Sequence, residues 1–483
     1  MQKYDYDFII IGGGPAGTAA AKALAKTKKK VAIVEQSQWG GSYAYSRDVP
    51  YAAALNFSHL YAKAMYGARF GISSTTLRYN YPTSAHWREK AISRAIAGVK
   101  QELAEAGVAR AKDGDVASVK RGAGQTVAEP NLVCIRARAH FVGPHEIAIK
   151  KGDNGVITGR KILVATGATP KDPGITGIET ANCYTVETAL KMGRVPKTVM
   201  VIGAGASGCE IAQYFAEIGS KVAIAEIAER ILPREDSEVG EVLTEYFTKR
   251  FDMKVLTSSR VIAVEQDAAG AKVIFVRGGQ EKMVRVEAVI LATGSQPALD
   301  LGLENAGVTF TKSGIKTAKT LQTSQKHIFA AGDVVSGDVS TEMAEYQGGL
   351  AAMNMAGRPT NYVNYNGFIR VTDTDPQVAV VGLTEDDAVK RAKKYKSVVI
   401  PLSRVTAANV QDFRMGFIKM LATPDGKIIG ATLMAPNAAD AISEVAVMVR
   451  HNFSIMEIAS TPHVAMGWSE LVRQAARELA KKK

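Results

Sequence analysis

The hydrophobic pattern near the start of the chain predicts a strand, a tight turn, a helix and a second strand. The apolar run over Asp7–Ile11 has the length and composition of a buried strand, and Gly12–Gly17 has the residues of a tight turn. An alanine-rich helical stretch follows over Thr18–Ala25, and a second apolar run, Val31–Val34, ends in Glu35. Two strands joined through a helix are typical of a parallel β-α-β unit.

The same pattern returns about two hundred residues later. Thr198–Ile202 is the predicted strand, Gly203–Gly208 the turn, and the helix covers roughly Cys209–Ile218. The second strand, Lys221–Ala225, again ends in an acid, Glu226. In both copies the acid lies 23 positions after the first glycine.

A strand, a glycine turn, a helix and an acid at this spacing indicate a dinucleotide-binding site. The first glycine allows the tight turn, the second leaves space for a pyrophosphate, and the third lets helix and strand pack closely. Amides at the helix N-terminus hold the phosphates, and the carboxylate accepts hydrogen bonds from a ribose. The alternative is a pair of glycine turns that bind no ligand. We therefore expect two dinucleotide sites.

Length and composition fit a soluble globular protein of several domains. The chain has 483 residues, which is too long for one core and indicates two to four domains. The sequence shows no secretory signal and no apolar run long enough to span a bilayer, so a cytoplasmic location is expected. Three scattered cysteines and seven scattered histidines make a disulfide framework or a bound metal improbable.

The formal net charge of +13 is partly local, in Lys26–Lys30 and in the closing Lys481–Lys483. Solvated surface charge is the simpler interpretation. The alternative is attraction to anionic partners, such as dinucleotides, an acidic protein electron carrier or an anionic membrane surface. No nucleic-acid motif accompanies these lysines, so nucleic acid is not an expected partner.

Further motifs give the chain a resemblance to the flavoprotein pyridine nucleotide-disulfide oxidoreductases, the family of dihydrolipoamide dehydrogenase, glutathione reductase and mercuric reductase. The resemblance covers nearly the whole length. Besides the two glycine turns it rests on these segments: Leu163–Gly167, Leu291–Gly294, Ile328–Asp333, Thr374–Glu385, Gly416–Lys419 and Ile429–Ala431.

The resemblance implies an α/β fold with two Rossmann-like dinucleotide-binding domains, for FAD and NAD, and a C-terminal α+β dimerisation domain. The implied order is an FAD domain over 1–165, an NAD domain over 166–292, the rest of the FAD domain over 293–357 and an interface domain over 358–483. A homodimer is expected on the resemblance alone.

The resemblance also implies which residues bind each cofactor. The FAD set is Gly12, Gly14, Pro15, Ala16, Gly17, Glu35, Gly41, Ser42, Ala139, Thr166, Gly167, Gly332, Asp333 and Ala344. The NAD set is Gly203, Gly205, Ser207, Gly208, Glu210, Glu226 and Gly294. Of these, Glu210 matches a family glutamate beside the nicotinamide and the flavin; its alternative is an exposed helix charge.

Glu226 favours NADH over NADPH as the electron donor. A carboxylate at this position would repel a 2′-phosphate, and its neighbours Ala225, Ile227 and Ala228 supply no arginine clamp. Arg230 is the one nearby cation that weakens this expectation.

The sequence departs from the family where disulfide-reducing members carry their redox dithiol. In Gly40–Ala52 the glycines and the proline keep the register. Tyr43 stands at the position of the outer cysteine, Asp48 at that of the flavin-proximal cysteine, and Ala52 at that of a lysine that pairs with the glutamate matching Glu210.

The second departure lies near the C-terminus, where relatives supply a histidine base to the partner subunit. Anchored on Ser469 and Glu470, the base position is Ala465, and His463 is displaced from it by two residues. His463 is either a substitute base or an ordinary packed or surface histidine.

Dithiol-disulfide exchange needs a thiolate nucleophile and a resolving thiol, which tyrosine and aspartate cannot replace. Reduced flavin must therefore meet its acceptor directly. In the vacated pocket Tyr43, Tyr45 and Tyr51 either stack on a planar acceptor or fill the space, and Asp48 accepts a proton if burial raises its pKa. Tyr43, Asp48, Glu210 and His463 are the candidate catalytic residues.

The leading functional hypothesis is an FAD-dependent NADH oxidoreductase that reduces a quinone or a similar small acceptor. A transhydrogenase exchange between NADH and NADP is the runner-up. An H2O2-forming NADH oxidase, a reductase of an acidic protein carrier and a reaction on one organic substrate also stay open. The non-enzymatic alternative is a flavoprotein whose NADH-dependent state is sensed by a partner.

Overall fold

We describe a computed structural model of the chain, which covers residues 3–72, 75–109, 131–150, 155–337 and 339–482. Met1, Gln2, Lys483 and residues 110–130 of the predicted first FAD segment lie outside this description. The chain divides into two compact units, which we treat separately. Unit 1 comprises Met1–Ala53, Pro82–Lys171 and Gly294–Asn364, and unit 2 comprises Ala54–Tyr81, Asp172–Thr293 and Tyr365–Lys483.

The helices are α1 (Pro15–Ala25), α2 (Gly41–Tyr45), α3 (Asp48–Tyr66), α4 (Tyr81–Glu105), α5 (Val186–Ala189), α6 (Ala206–Glu217), α7 (Ser237–Phe251), α8 (Asp333–Ser336), α9 (Thr341–Ala356), α10 (Glu385–Lys390), α11 (Thr406–Val410), α12 (Ala438–His451), α13 (Ile455–Ser460) and α14 (Ser469–Lys481). Short 3-10 helices cover Gly67–Phe70, Leu303–Ala306 and Leu402–Arg404.

The strands are β1 (Tyr6–Ile11), β2 (Val31–Glu35), β3 (Val108–Ala109), β4 (Leu132–Arg136), β5 (Arg138–Gly143), β6 (Glu146–Lys150), β7 (Gly155–Val164), β8 (Ala168–Pro170), β9 (Cys183–Thr185), β10 (Thr198–Ile202), β11 (Lys221–Ala225), β12 (Lys254–Leu256), β13 (Ser259–Asp267), β14 (Gly270–Arg277), β15 (Gln280–Val286), β16 (Ala288–Leu291), β17 (Ser295–Pro297), β18 (Phe310–Thr311), β19 (Gly314–Ile315), β20 (Ile328–Ala330), β21 (Ile369–Thr372), β22 (Gln377–Gly382), β23 (Lys396–Pro401), β24 (Phe417–Ala422) and β25 (Ile428–Ala435).

Unit 1 is built on a sheet of strand order β3-β4-β2-β1-β7-β6-β5, with β20 also paired to β7. Strands β1, β2, β4, β7 and β20 run parallel, whereas β6 pairs antiparallel with β5 and β7. Because side chains alternate along a strand, Phe8 and Ile10 of β1 pack on one face against α1 and α9. Ile9 and Ile11 pack on the other face, in a core shared with β5.

Unit 2 contains a second parallel sheet, of order β12-β11-β10-β16-β9, and an antiparallel sheet of β13, β14 and β15. Its C-terminal part is an antiparallel sheet of order β21-β22-β25-β24-β23. Helices α12 and α14 share the hydrophobic core of that sheet, to which α14 contributes Leu471, Ala475 and Leu479. The mixed α/β class with two parallel-sheet nucleotide-binding folds is confirmed.

The predicted elements of the two repeats are close to the observed ones. Strands β10 and β11 have the predicted bounds, whereas α1 begins at Pro15 instead of Thr18 and α6 begins at Ala206 instead of Cys209. The later residues of each glycine turn already have helical geometry, and proline is favoured at a first helical position, where its missing N-H is not needed. The helix N-termini therefore lie within the glycine turns themselves.

Buried charge links three segments of unit 2. The Lys419 ammonium on β24 lies 2.5 Å from a Glu385 carboxylate oxygen, 2.9 Å from one of Glu238 and 3.4 Å from one of Asp236. Thr432 donates its hydroxyl to Asp236 at 2.6 Å. These contacts hold Asp236, the residue before α7, against the C-terminal sheet. Removal of the lysine would leave the carboxylates without their cation and would be destabilising.

Candidate functional site

Two glycines of the first turn are required by the protein's own packing. Gly12 has φ +109°, and a Cβ atom there would lie 2.2 Å from the carbonyl oxygen of Ala165 at the end of β7. A Cβ atom on Gly17 would lie 1.8 Å from the carbonyl oxygen of Gly12. These contacts place the N-terminus of α1 directly above the end of β1. This is the close packing of helix and strand that a dinucleotide-binding glycine turn requires.

Gly14, between them, is not required by the protein. Its φ of −76° is accessible to any residue, and the nearest atom to an added Cβ would be the Cα of Gly41, 4.0 Å away. The position therefore borders open space beside the first amides of α1. Space at a helix N-terminus is what a pyrophosphate group needs, so this turn fits a dinucleotide.

The second turn repeats this geometry. Gly203 has φ +99° and meets the carbonyl oxygen of Ala292, and a Cβ on Gly208 would lie 2.0 Å from the carbonyl oxygen of Gly203. Gly205 has φ −71°, and nothing lies within 4 Å of an added Cβ. Ser207 lies in the first turn of α6 next to this open space.

Glu35 and Glu226 bind their glycine turns through the same pattern of hydrogen bonds. Glu35 accepts the N-H of Gly13 at 2.6 Å on one carboxylate oxygen and that of Ser37 at 2.6 Å on the other. Burial raises the pKa of Glu35 and these hydrogen bonds partly offset that rise. Glu226 accepts the N-H groups of Ala204 at 2.7 Å and Ala228 at 2.9 Å. Each carboxylate is thus fixed at the end of its strand.

Several other residues of the expected FAD set lie together in unit 1. A Cβ on Gly332, which has φ +79°, would be 3.4 Å from the Cβ of Ala16 and 3.6 Å from that of Ala344. Gly41 packs on Gly14, with 2.9 Å between an added Cβ and the Gly14 Cα. Pro15 is the first residue of α1, and Asp333 opens α8, where its carboxylate accepts the N-H of Val339 at 2.8 Å.

The remaining expected cofactor residues are placed less specifically. Thr166 donates its hydroxyl to Ala298 at 2.9 Å, and the carbonyl of the next residue, Gly167, accepts the N-H of Ala298 at 3.0 Å. Ser42 is exposed on α2, whereas the side chain of Ala139 is buried in the sheet core. Gly294, expected in the NAD set, begins the last segment of unit 1, whereas the second glycine turn belongs to unit 2.

Tyr43 and Asp48, which the resemblance aligns with the dithiol positions, lie on α2 and at the start of α3. Asp48 is exposed, so the burial on which its expected role as a proton acceptor depends is not present. Its carboxylate instead accepts the hydroxyl of Thr341 at 2.5 Å. Tyr43 is half-buried; burial raises the pKa of its phenol, and the carboxylates of Glu345 and Asp48 raise it further. The phenol therefore stays protonated and available as a hydrogen-bond donor.

The three tyrosines proposed to stack on an acceptor differ in accessibility. Tyr43 is half-buried and Tyr45 is exposed, whereas Tyr51 is only 7% exposed. The buried position of Tyr51 fits the alternative of filling space. The first turns of α9, with Thr341, Glu342 and Glu345, belong to this region, and no sequence motif identified them.

Glu210 and His463 are both engaged within unit 2. Glu210 accepts the N-H of Asp373 at 2.7 Å. His463 lies 2.9 Å through Nδ1 from the carbonyl oxygen of Thr461 and 3.1 Å through Nε2 from a carboxylate oxygen of Glu444, and its side chain is 4% exposed. Both ring nitrogens are occupied, which favours the interpretation of His463 as a packed histidine.

The cysteines are poor nucleophiles in this structure. Burial raises the pKa of Cys134 to about 12 and that of Cys183 to about 11. Cys209 is fully buried, its pKa lies well above the ordinary value for the same reason, and its thiol contacts the carbonyl of Ala204 at 3.5 Å. Because only the thiolate attacks a disulfide, these residues offer no substitute for a redox dithiol.

The described ranges contain neither a cluster of metal ligands nor a membrane-spanning helix. Among these residues, no group of three or more His, Cys, Asp or Glu side chains is arranged to hold a metal ion. No helix in them is both long and apolar enough to cross a membrane.

The chain belongs to the pyridine nucleotide-disulphide oxidoreductase family. The family model matches residues 6–400, and the model of the family's dimerisation domain matches residues 369–476. Curated relatives include dihydrolipoyl dehydrogenase of Bacillus subtilis, 28% identical over 97% of this chain and 95% of the relative. Mercuric reductase of Staphylococcus aureus is 30% identical over 96% of this chain and 80% of the relative.

Solved structures with the same fold cover almost the entire chain. LpdA of Mycobacterium tuberculosis has a TM-score of 0.85 at 22% identity, over 98% of this chain and 99% of that one. The HOCl-induced flavoprotein disulfide reductase RclA of Escherichia coli has a TM-score of 0.82 at 22% identity, over 99% and 100% of the two chains. The predicted family, fold class and cofactors, FAD and NAD(P)H, are confirmed, and the dimerisation domain fits a homodimer.

Replacement of Gly205 by alanine tests the second dinucleotide cradle. The added methyl group would occupy open space beside the first amides of α6, so we expect Gly205→Ala to fold normally but to bind ADP-ribose about tenfold more weakly. Calorimetric titration measures the affinity. Gly98→Ala, on α4 with nothing within 4 Å, is the matched control. Unchanged ADP-ribose affinity in Gly205→Ala would contradict the assignment.

Proposed function

We propose that this protein is an FAD-dependent oxidoreductase that takes a hydride from NADH and delivers electrons directly to a small non-disulfide acceptor such as a quinone. The proposal is supported by Tyr43 and Asp48, which stand at the two positions that the family resemblance assigns to the dithiol, and by the geometry of the two glycine turns, which leaves space for a dinucleotide at each. The three cysteines elsewhere in the chain have pKa values raised by burial, which leaves little thiolate at neutral pH.

The turn of α1 with Glu35, Gly332 and Asp333 would hold FAD, and the turn of α6 with Glu226 would hold NADH. When bound, FAD supplies the redox chemistry, because it accepts the hydride and passes two electrons onward. The protein contributes binding, orientation and the charge around the acceptor.

The surroundings of Glu226 support NADH as the donor. Arg230, the nearby cation that weakened this expectation, lies 2.8 Å through Nη2 from a carboxylate oxygen of Asp386. A guanidinium engaged with a carboxylate is less available to a 2′-phosphate, and the Glu226 carboxylate repels one. The same repulsion disfavours an efficient exchange between NADH and NADP.

Charge near Tyr43 supports a neutral or cationic acceptor. Thr341, which binds Asp48, is followed by Glu342, and Glu345 lies one helical turn further along α9. The carboxylates of Glu345, Asp48 and Glu342 all act on the Tyr43 phenol and raise its pKa, in addition to its burial. An acidic protein carrier would be repelled from such a surface, so a small molecule is the better candidate.

The names of the relatives describe dehydrogenation of dihydrolipoyl groups, reduction of mercuric ion or reduction of disulfides. Those reactions require thiols at the positions that Tyr43 and Asp48 occupy here. In our proposal Tyr43 donates its phenol hydrogen to an oxygen atom of the acceptor, and Thr341 holds the carboxylate of Asp48, which acts on this phenol.

Anaerobic stopped-flow spectroscopy tests the proposed function. We expect NADH to bleach the flavin band, and a quinone to restore it faster than air or an NADP analogue does. Because no dithiol takes part, pretreatment with NADH and arsenite, which traps neighbouring thiols, should change neither rate. Absence of bleaching would refute the NADH reaction, and arsenite inhibition would refute the thiol-free route.

Acceptor charge gives a second test. At low ionic strength we expect a cationic quinonoid dye to reoxidise the protein about tenfold faster than an anionic dye of matched potential, and added salt should reduce the difference. Glu345→Gln should reduce the ratio of the reoxidation rate with the cationic dye to that with the anionic dye. Glu304→Gln, at an exposed position of unit 1, is the matched control and should leave this ratio unchanged. A faster reaction with the anionic dye would contradict the assignment of the acceptor pocket to Tyr43.

A further inference from the structure

One face of α6 carries three polar side chains that reach beyond the helix. Glu210, Gln213 and Glu217 follow one another at intervals of three and four residues, so they share a face. Gln213 and Glu217 are buried. Because this helix begins at the second glycine turn, its polar face links the NAD cradle to other parts of unit 2.

The segment between β21 and β22 is bound along this face. Glu210 accepts the N-H of Asp373 at 2.7 Å. Gln213 accepts the N-H of Asp375 at 3.1 Å and donates to the carbonyl of Asp375 at 3.0 Å. The side chain of Gln377 donates to the Asp373 carboxylate at 2.6 Å. The position of the Glu210 carboxylate therefore depends on the backbone of Asp373.

His59, on α3, completes the network from the other side. Its Nδ1 lies 2.8 Å from a carboxylate oxygen of Glu217, and its Nε2 lies 3.3 Å from the carbonyl oxygen of Asp373. Both ring nitrogens face acceptors, so both are satisfied only when each carries a hydrogen. The carbonyl of Asp373 is thus held by His59, while the amide of the same residue is held by Glu210.

The charges around His59 favour its protonated form. Burial lowers the pKa of His59, but the hydrogen bond and charge of Glu217, with a contribution from Asp375, raise it above the ordinary value. Lys63, on the same helix as His59, lies 3.3 Å from Asp375. On α7, burial raises the pKa of Tyr246, and the negative charges of Asp375 and Glu217 raise it further. Glu217 is therefore the dominant partner of the imidazolium.

We propose that His59 is a positioning residue for Glu210: the imidazolium, anchored by Glu217, fixes Asp373, and the Asp373 amide fixes the carboxylate that faces the nicotinamide. The inference rests on the proposed function, because the place of Glu210 beside the nicotinamide comes from the family resemblance. Loss of the His59 proton leaves a ring nitrogen lone pair facing an oxygen acceptor. The Asp373 amide that binds Glu210 then loses its support from His59.

The sign of the pH dependence follows from the raised pKa of His59. The network is complete below the ordinary histidine pKa and is lost as the pH rises through the raised value. Reduction of the flavin by NADH should therefore slow as the pH rises through the raised pKa of His59, at constant FAD content. We call this loss of rate the alkaline step.

The test compares the native protein with His59→Gln and Glu217→Gln, and uses His451→Gln, at an exposed histidine of α12, as the matched control. We expect both network variants to reduce their flavin about tenfold to a hundredfold more slowly with NADH and to lack the alkaline step in the pH profile. Independently of turnover, they should bind NAD+ more weakly but ADP-ribose, which has no nicotinamide ring, with unchanged affinity.

Three outcomes would overturn the positioning role. Unchanged rates and pH profiles in both variants would show that Glu210 does not depend on His59. An equal loss of ADP-ribose and NAD+ binding would show general damage to the cradle. Loss of the alkaline step in His451→Gln would assign the titration to another histidine. If the native protein is not reduced by NADH, the proposed function fails, yet the comparison of NAD+ with ADP-ribose still tests His59.

Discussion

The close contact between the first and third glycines of each turn is the constraint on which both nucleotide sites depend. The separation between an added Cβ and the opposing carbonyl oxygen is 1.8 Å for Gly17 and 2.0 Å for Gly208, so no side chain fits. This approach sets α1 and α6 above the ends of their strands and leaves open space at their first amides. Glu35 and Glu226 then hold the turns by accepting hydrogen bonds from equivalent pairs of backbone amides. Two sites of the same chemistry follow from one local rule.

The sequence predicted the features that depend on nearby residues. Strands, turns and terminal acids of the two repeats lie within short segments, and their hydrogen bonds join residues about 22 positions apart. The contacts that shape the remainder join residues far apart: Asp48 with Thr341, Glu210 with Asp373 and His59 with Glu217. Hydrophobic periodicity and short sequence motifs carry no information on which distant residues form such pairs. For the same reason the exposure of Asp48 and the engagement of His463 by Glu444 were not predictable.

The chain combines intact cofactor cradles with a changed acceptor region. Burial raises the pKa values of the cysteines, and the region around Tyr43 has a phenol and several carboxylates at the place that the family resemblance assigns to the dithiol. A phenol donates a hydrogen bond but cannot exchange electrons through a covalent disulfide. Together with the polar face of α6, which orders Glu210 through Asp373, this arrangement suits hydride entry from NADH and direct electron exit to a small acceptor.

The electron capacity of the purified protein tests this account most directly. An anaerobic titration with NADH, followed through the flavin absorbance, counts the electrons taken up per FAD. Our account predicts two electrons per FAD, with complete bleaching at one equivalent of NADH, because the flavin is the sole redox group of the site. Uptake of four electrons per FAD, with new thiols detectable after unfolding, would show a second redox centre and contradict the thiol-free mechanism.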